Sequence, residues 1–344
     1  MKNKLTYFVA RDSMFGIGFF LIFQNSGKEA WISAILGTIL GVIILYLYSS
    51  IKKNLNNRTL YDTLKTSKLG KFYNLILIIF YLYLMTIVLI LLPLFVNSFY
   101  LLTTPKLAIN LPFIILAIYI TFKGKNTIEN LSNLLCVFSI VIIIFFAIAL
   151  TGYCDFSNLS PILSNGTFNI IKCSLIYAAI TGIPQIITID YSNDFKSNLK
   201  DYLLSSLTLF LIIFFTIITL GEPLLKIYSF PEYTVLRQIK ILDFIENIEN
   251  ISAFIWYFDL FIMLSCLTNN LKNSLPKKYN LIYFYILIIL VIIITSFGID
   301  KNYIYVLEIV YHHPLILFIF FFIFMTLLIY LKFKNTKKNI TPNE

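Results

Sequence analysis

Two apolar segments of the chain contain residues that interrupt helices. The first carries Gly16-Ile17-Gly18, and the sixth carries Thr181-Gly182-Ile183-Pro184. Glycine costs about 1 kcal/mol and proline about 3 kcal/mol in a helix interior, so we expect both helices to lose backbone hydrogen bonds there. The freed groups have chemical uses, because amide N–H groups at a half-helix end bind a carboxylate and carbonyl oxygens bind a cation or an ammonium group.

Glycine and proline also have purely structural roles in membrane helices. Glycine allows close helix packing, and proline allows a simple kink. Either motif alone is more typical of packing. Their paired placement in the first and sixth segments favours a binding site, because matching interruptions in two halves of a chain indicate an inverted-repeat transporter with a site near the membrane midplane.

Asp259 is the second chemical signal. It lies near the centre of the eighth apolar segment, within Trp256-Tyr257-Phe258-Asp259-Leu260. A carboxylate at that depth costs several kcal/mol unless it is paired, hydrated or protonated. We therefore expect it either to serve a cation, a proton or a substrate amine, or to accept a structural hydrogen bond from Tyr81 or Tyr83 of the third segment.

Other polar residues give weaker signals. Arg11-Asp12 predicts a local ion pair at the membrane interface, and Thr181 and Gln185 offer hydrogen bonds at the sixth-segment interruption. His312-His313 is interpreted as an interfacial anchor at the outer end of the tenth segment, because two histidines without a third ligand rarely form a metal site. Cys154 and Cys173 both fall near the outer ends of spans and could meet, although small buried apolar side chains are the favoured interpretation.

The composition requires lipid as the solvent for most of the chain. The 344 residues are 59% hydrophobic and only 13% charged. A soluble domain of this size cannot hide so much apolar surface. The formal charge of +10 does not indicate nucleic acid, because the basic residues lie beside the apolar runs as the positive-inside rule requires. No nucleotide loop, metal-ligand pattern or catalytic constellation is present, so we predict neither an enzyme nor a cofactor.

The apolar runs and their charges predict a topology. Of the 27 Lys and Arg residues, 20 lie on one side of the predicted membrane and seven on the other. This asymmetry puts both termini in the cytoplasm and requires an even number of spans. We predict ten spans, at about residues 6–24, 30–51, 72–96, 107–122, 132–152, 170–189, 202–221, 251–271, 279–297 and 313–332.

The predicted fold is an all-α membrane protein with one permease-like domain over residues 1–344. We expect a five-plus-five inverted repeat, with repeat one at about 6–152, repeat two at about 165–333, and helices one and six broken. The segment at about 231–249 alternates apolar and polar residues with helical spacing, which predicts an outer amphipathic helix that begins at Pro231. It either lies on the membrane surface or covers an outward-facing cavity.

Several stretches resemble the spore germination permease family, the B subunits of nutrient germinant receptors in endospore-forming bacteria. They are spread over most of the chain. They read Ser26-Gly27-Lys28-Glu29-Ala30-Trp31-Ile32-Ser33, Leu102-Thr103-Thr104-Pro105, Asn158-Leu159-Ser160-Pro161-Ile162-Leu163, Phe230-Pro231-Glu232-Tyr233 and Ile245-Glu246-Asn247-Ile248-Glu249.

This family is similar to the amino acid–polyamine–organocation transporters. The resemblance implies a ten-helix core with an amino-acid-like ligand between broken helices one and six. It also implies partner subunits in the spore inner membrane, a membrane-associated A-type protein and a lipoprotein C subunit.

The leading functional hypothesis is a germinant-sensing subunit whose ligand shifts its conformational equilibrium. The alternatives are a stand-alone ion- or proton-coupled amino acid transporter and a scaffold whose broken helices only allow packing. In the leading hypothesis, one wall and its backbone groups come from the first helix, the facing wall comes from the sixth, and an acidic residue tunes the charge. The predicted ligand-binding residues are Gly16, Ile17, Gly18, Phe19, Ala179, Ile180, Thr181, Gly182 and Asp259.

Overall fold

The computed structural model describes residues 3–55, 58–99, 104–161, 163–191, 194–239, 249–276, 280–298 and 303–340. Side chains are described over the same ranges, except those of residues 99, 249, 252, 303–307 and 335–340. Within these ranges the regular structure is helical throughout. The first half of the chain forms α1 (Leu5–Arg11), α2 (Gly18–Ser26), α3 (Ala30–Asn54), α4 (Leu60–Leu64), α5 (Lys68–Phe99), α6 (Lys106–Lys123) and α7 (Lys125–Leu150).

The second half continues the helical pattern. It forms α8 (Thr167–Gly182), α9 (Phe195–Ile227), α10 (Pro231–Thr234), α11 (Glu249–Ser274), α12 (Asn280–Ile293) and α13 (Tyr303–Ile340). Short 3-10 helices follow several of these elements, at Asp12–Met14, Gly27–Glu29, Thr151–Tyr153, Phe156–Leu159, Ile183–Thr188 and Val235–Gln238, and Ile294–Gly298 is a π-helical turn after α12.

In the described ranges, nine stretches are long and apolar enough to cross a membrane. One of them, Gly18–Asn54, joins α2 and α3 through the 3-10 turn Gly27–Glu29. The separate pieces α1 and α2 have 7 and 9 residues, too few for a span of about 20, so together they form the first of the ten predicted spans. The all-α membrane fold is confirmed, whereas the inverted repeat and the side on which the termini lie stay predictions.

The helix surfaces show that lipid is the solvent. Large apolar side chains such as Phe168, Ile227 and Phe297 are more than 70% exposed, whereas Arg11, Asp12 and other polar residues are buried. This arrangement is the inverse of a soluble protein and fits a chain whose outer face contacts hydrocarbon. The chain is therefore an integral membrane protein whose interior holds polar residues among many apolar ones.

Small residues allow α3 and α8 to pack closely. A Cβ atom at Gly37 would lie 2.7 Å from the Cβ of Tyr177, and one at Gly41 would overlap the hydroxyl of Tyr202 on α9. Close approach through glycine is the usual way in which membrane helices gain van der Waals contact. These contacts fix α8 at the centre of the bundle, where residues 178–182 are all buried.

The first helix opens as predicted. α1 ends at Arg11, a 3-10 turn covers Asp12–Met14, and Phe15 is extended with φ −69° and ψ 130°. Gly16 then has φ +78°, a conformation that glycine adopts at no steric cost, and α2 begins at Gly18. The chain thus leaves the helical path for three residues inside the bundle.

The sixth helix changes type and does not unwind. α8 ends at Gly182, whose φ of −97° and ψ of −43° are close to helical, and the 3-10 helix Ile183–Thr188 follows directly. Pro184 lies at the start of this 3-10 helix, where its missing N–H costs least. The prediction of an interruption is right in position, but the open gap that it implied is present only in the first helix.

The outer segment differs from the predicted continuous helix at 231–249. It begins at Pro231 as expected, but α10 ends at Thr234, the 3-10 helix ends at Gln238, and Ile239 is extended. Residues 240–248 lie outside the described ranges. Because Pro231, Glu232, Tyr233, Val235 and Leu236 are buried, the described part of the segment packs into the protein, which favours a cover over an outer cavity.

Candidate functional site

An ion pair lies beside the break in the first helix. The Nε of Arg11 donates to the Oδ2 of Asp259 on α11 at 3.1 Å, and the two side chains are 0% and 1% exposed. A buried charge without a partner is costly, so these two residues, which are 248 positions apart, stabilise each other's charged form. The predicted local pair of Arg11 with Asp12 is wrong, because Arg11 turns to Asp259 instead.

Arg11 is held by further contacts on one face of α1. Its Nη1 donates to the hydroxyl of Tyr7 at 2.7 Å and to the Oγ1 of Thr208 on α9 at 2.8 Å. Its guanidinium carbon also lies 4.9 Å from the ring centroid of Tyr7 and 5.3 Å from that of Phe15. The guanidinium is thus fixed in position at the start of the break.

Three polar atoms at the break have no hydrogen-bond partner in the described part of the chain. They are the Nη2 of Arg11, the Oδ1 of Asp12 and the Oδ1 of Asp259. The other oxygen of Asp12 accepts a hydrogen bond from Ser13 at 3.1 Å. Buried polar atoms are nearly always paired, so one open donor and two open acceptors at one break indicate a place for a polar ligand or water.

The predicted site residues of the first helix divide between two directions. A Cβ atom at Gly16 would meet side-chain atoms of Leu91, Phe230 and Trp256, each at 3.2 Å, so Gly16 faces the outer segment and α11. A Cβ atom at Gly18 would lie 2.5 Å from the sulfur of Met14. Ile17 and Phe19 are both buried. Only Gly16 of the two glycines therefore faces neighbouring helices through its missing side chain.

The predicted residues of the sixth helix line a packed interface. α8 packs against both the 3-10 turn Asp12–Met14 and α2, so helices one and six do meet. Ala179 and Ile180 are buried, and the Oγ1 of Thr181 is paired with the carbonyl of Tyr177 and with the hydroxyl of Tyr202 at 2.7 Å. The missing side chain of Gly182 faces Ile44 and Gly41 of α3.

Gln185 connects the sixth helix to the first. Its Nε2 donates to the carbonyl of Thr6 at 3.1 Å and to the carbonyl of Thr181 at 3.2 Å, and its Oε1 has no partner among the residues described. Gln185 also lines a cavity of about 550 Å³ together with Tyr48, Lys52, Thr188 and Asp194. The cavity therefore reaches a hydrogen bond that joins the two broken helices.

Tyr83, one of the two alternative partners proposed for Asp259, is engaged elsewhere. The hydroxyl of Tyr83 lies 2.7 Å from the Nδ1 of His313, which is buried inside α13. The prediction that His312-His313 is a surface anchor at the start of a span is therefore wrong for His313, because α13 begins before it, at Tyr303. No sequence pattern indicated this pairing between two distant spans.

The cysteines and acidic groups show neither a disulfide nor a metal centre in the described ranges. Cys154 and Cys173 are free, and their sulfur atoms contact the carbonyls of Leu150 at 3.1 Å and Ile22 at 3.9 Å. No group of three or more His, Cys, Asp or Glu side chains among the described residues is placed to hold a metal ion.

One resembling stretch has a visible structural role. Residues Ser26–Glu29 form the turn between α2 and α3, where Gly27 has φ +52° and Glu29 is buried. The Oε1 of Glu29 accepts hydrogen bonds from the Oγ of Ser164 and the backbone N–H of Asn165, both at 3.2 Å. This carboxylate therefore anchors the segment before α8 to the end of α2.

Comparison with known proteins agrees with this architecture. Residues 6–304 match the spore permease family model, described as "Spore germination protein". The chain is 26% identical over 289 residues to spore germination protein XB of Bacillus anthracis, which covers 79% of this chain and 80% of that protein. It is 25% identical over 244 residues to the protein named "Putative spore germination protein YfkT" of Bacillus subtilis (strain 168). The match covers 69% of this chain and 67% of that protein.

A third relative extends the comparison. Spore germination protein KB of Bacillus subtilis (strain 168) is 22% identical over 237 residues, which is 65% of this chain and 64% of that protein. The family match spans the broken first helix, α8 and α11, and thus includes every predicted site residue. The chain therefore belongs to the spore germination permease family.

Proposed function

We propose that this protein is the permease-like subunit of a spore nutrient germinant receptor, and that it binds a small amino-acid-type germinant at the break in the first helix. One observation carries the proposal: the break holds an open guanidinium nitrogen of Arg11 and open carboxylate oxygens of Asp12 and Asp259. A zwitterionic amino acid complements this set, because Arg binds a carboxylate and carboxylates bind an ammonium group.

Ligand binding has a route to the rest of the molecule. Arg11 belongs to α1, and the same helix is joined through Thr6 to Gln185 of the sixth helix. A ligand that prefers one arrangement of these two helices shifts the equilibrium between conformations by its differential affinity. In the proposed receptor, A-type and C-type partner subunits in the spore inner membrane detect that shift, and both termini of this subunit lie in the cytoplasm.

The test uses an isosteric change in the open carboxylate. Asp12→Asn keeps the size of the side chain and removes a buried charge that the structure pairs only with Ser13, so we expect the fold to be retained. Spores that carry this variant should no longer respond to the nutrient through this receptor, while the amount of the subunit stays unchanged. Asp155→Asn, at an exposed residue on the loop after α7, is the matched control and should germinate normally.

A stand-alone amino acid transporter is the second candidate. The observation that favours it is the 550 Å³ cavity that reaches Gln185, since a transporter needs an aqueous route to its central site. Purified protein in liposomes would then accumulate a labelled amino acid under a proton or sodium gradient without partner subunits. Saturable amino-acid binding without uptake favours the receptor. If no amino acid changes the thermal stability of the chain, a purely structural scaffold fits better.

A further inference from the structure

A second group of buried polar atoms lies outside the break, under the outer segment. A chamber of about 60 Å³ is lined by residues of α5, α7, α9 and α11, by Phe15 and by the segment that contains α10. Its walls include Phe15, Phe95, Tyr233 and Trp256, and its acidic wall residue is Glu232. The chamber is therefore aromatic on several sides and acidic at one point.

Glu232 is an unusual residue for such a place. Its side chain is 6% exposed, and its Oε1 accepts a long hydrogen bond of 3.4 Å from the backbone N–H of Gly16. Its Oε2 is buried and has no hydrogen-bond partner in the described ranges. An ionised carboxylate in an apolar site costs several kcal/mol unless a cation or further donors offset the cost. Among the described residues, this carboxylate therefore has no cationic partner.

The aromatic rings that line the chamber with Glu232 lie close to one another. The Phe95 ring centroid lies 4.1 Å from that of Trp256 and 5.2 Å from that of Tyr233, and the Phe15 centroid lies 5.9 Å from Trp256. The Nε1 of Trp256 is buried without a partner among the described residues. Aromatic faces attract organic cations, and a box of such rings is the usual site for an ammonium group.

We propose that this chamber is an outer binding site for the ammonium group of a compact organic amine, with Glu232 as the counter-charge and the aromatic rings as the walls. This inference rests on the proposed function in one respect, because the chamber adjoins the break that is proposed to bind the germinant. Phe15 is shared by both sites, since its ring contacts the guanidinium of Arg11 and the indole of Trp256. The proposed amine site therefore lies next to the break in the first helix.

The lining selects an organic cation over a metal ion. Calcium and magnesium require about six or more oxygen ligands, whereas the chamber offers one carboxylate among aromatic and aliphatic side chains. Arg237 is not the cation that the chamber holds. It is exposed, and its guanidinium carbon lies 5.6 Å from the Tyr233 ring centroid.

The two tryptophans of the chain allow a direct test. Trp31→Phe leaves Trp256 as the single indole, which reports on the chamber. The purified full chain in this background is titrated with ethylammonium chloride, with sodium chloride at equal ionic strength and with 1-propanol as a neutral analogue. A saturable change of Trp256 fluorescence with ethylammonium alone is expected, and an equal response to sodium chloride or to 1-propanol would overturn the proposal.

Variants in the same background assign the site. Glu232→Gln should weaken ethylammonium binding at least tenfold, Phe95→Leu should weaken it several-fold, and Asp155→Asn should leave it unchanged. Ethylammonium binding that is unaffected by both chamber substitutions contradicts the proposal even if one variant folds poorly. If amino acids bind the parent but ethylammonium binds equally well to the parent and to Glu232→Gln, the chamber proposal fails while the proposed function stands. If ethylammonium binds through Glu232 but no amino acid binds at all, the proposed function fails alone.

Discussion

The ring of Phe15 meets the indole of Trp256 edge to face, with centroids 5.9 Å apart and ring planes at 88°. Phe15 is the extended residue of the broken first helix, and Trp256 lies one turn before Asp259 on α11. The contact therefore joins the break, with its ion pair, to the outer chamber. A change in the backbone at Phe15 must alter both places, because closely packed aromatic rings cannot shift independently.

Substitution of Gly16 tests how tightly the break is packed. Ala at φ +78° costs about 1–2 kcal/mol of strain, and its Cβ would crowd three side chains at 3.2 Å, so the free energy of unfolding should fall by about 2–4 kcal/mol. Gly166→Ala is the matched control, because Gly166 has φ +83° and no atom within 4 Å of a Cβ. The free energy of unfolding of this control should fall only by the cost of the backbone strain. Unfolding of the purified protein in mixed micelles measures both, and equal losses would contradict the packing described for Gly16.

Removal of one member of the buried ion pair should lower the free energy of unfolding far more than replacement of both members by apolar residues. Asp259→Asn leaves the Arg11 guanidinium without its counter-charge, so we expect a loss of about 3–5 kcal/mol in the free energy of unfolding. The double variant Arg11→Met with Asp259→Leu removes both charges and should recover most of that loss, while nutrient binding is abolished. A single variant as stable as the parent would show that Arg11 does not depend on Asp259.

Binding in the outer chamber should depend on pH. Burial raises the pKa of Glu232 to about 8, and the backbone N–H groups of Glu232 and Gly16 only partly oppose this. Tyr233 in the chamber and the exposed Arg237 beside it are the other titratable groups nearby. Below pH 8 the free carboxyl is protonated, and an ammonium ligand must displace the proton. Ethylammonium affinity should therefore rise about tenfold per pH unit up to about pH 8 and then level off.

The control for this pH profile is Glu232→Gln, which should bind weakly and with no pH dependence between pH 6 and 9. Ethylammonium stays charged over this range, as a lysine side chain does. A parent profile that is flat, or one that falls as the pH rises, would contradict the assignment of Glu232.

The contact between α3 and α9 near Thr181 gives a fourth prediction. Gly41→Ala would place a methyl group against the hydroxyl of Tyr202, which pairs with Thr181 at 2.7 Å, so we expect a loss of about 1–3 kcal/mol. Gly152→Ala, where no atom lies within 4 Å, should stay within about 0.5 kcal/mol of the parent. Thermal unfolding of the two variants in detergent compares them, and similar midpoints would contradict the packing role of Gly41.

The sequence predicted the features that depend on neighbouring residues, namely the spans and the positions of the helix interruptions. The apolar runs predicted the spans, and the glycine pair predicted the opening at Gly16, because glycine alone tolerates its backbone conformation. The Thr181–Pro184 interruption was located correctly, but its conversion to a 3-10 helix depends on the packing of α8, which the motif does not contain. Arg11 was misassigned because its nearest acidic neighbour in sequence is Asp12, whereas its partner is 248 residues away.

The residue that sequence reasoning missed is Glu232. It lies inside a stretch that matched the family, Phe230-Pro231-Glu232-Tyr233, yet the helical pattern from Tyr233 onward drew attention to the polar face of the segment. A signal was present, because Glu232 follows the Pro231 that begins the helix and lies between the aromatic residues Phe230 and Tyr233. Glu232 shares its chamber with Phe95 and Trp256 from distant helices, so spacing alone could not reveal this position.

Equilibrium binding of labelled amino acids to the purified chain in lipid nanodiscs tests the central claim most directly. The panel comprises the small amino acids, each measured with the parent, with Asp12→Asn and with Asp155→Asn. The break in the first helix, as described, predicts saturable binding of at least one of them to the parent, at least tenfold weaker binding to Asp12→Asn, and unchanged binding to Asp155→Asn. Binding that Asp12→Asn leaves intact, or no binding of any amino acid to the parent, would contradict an amino-acid site at the break.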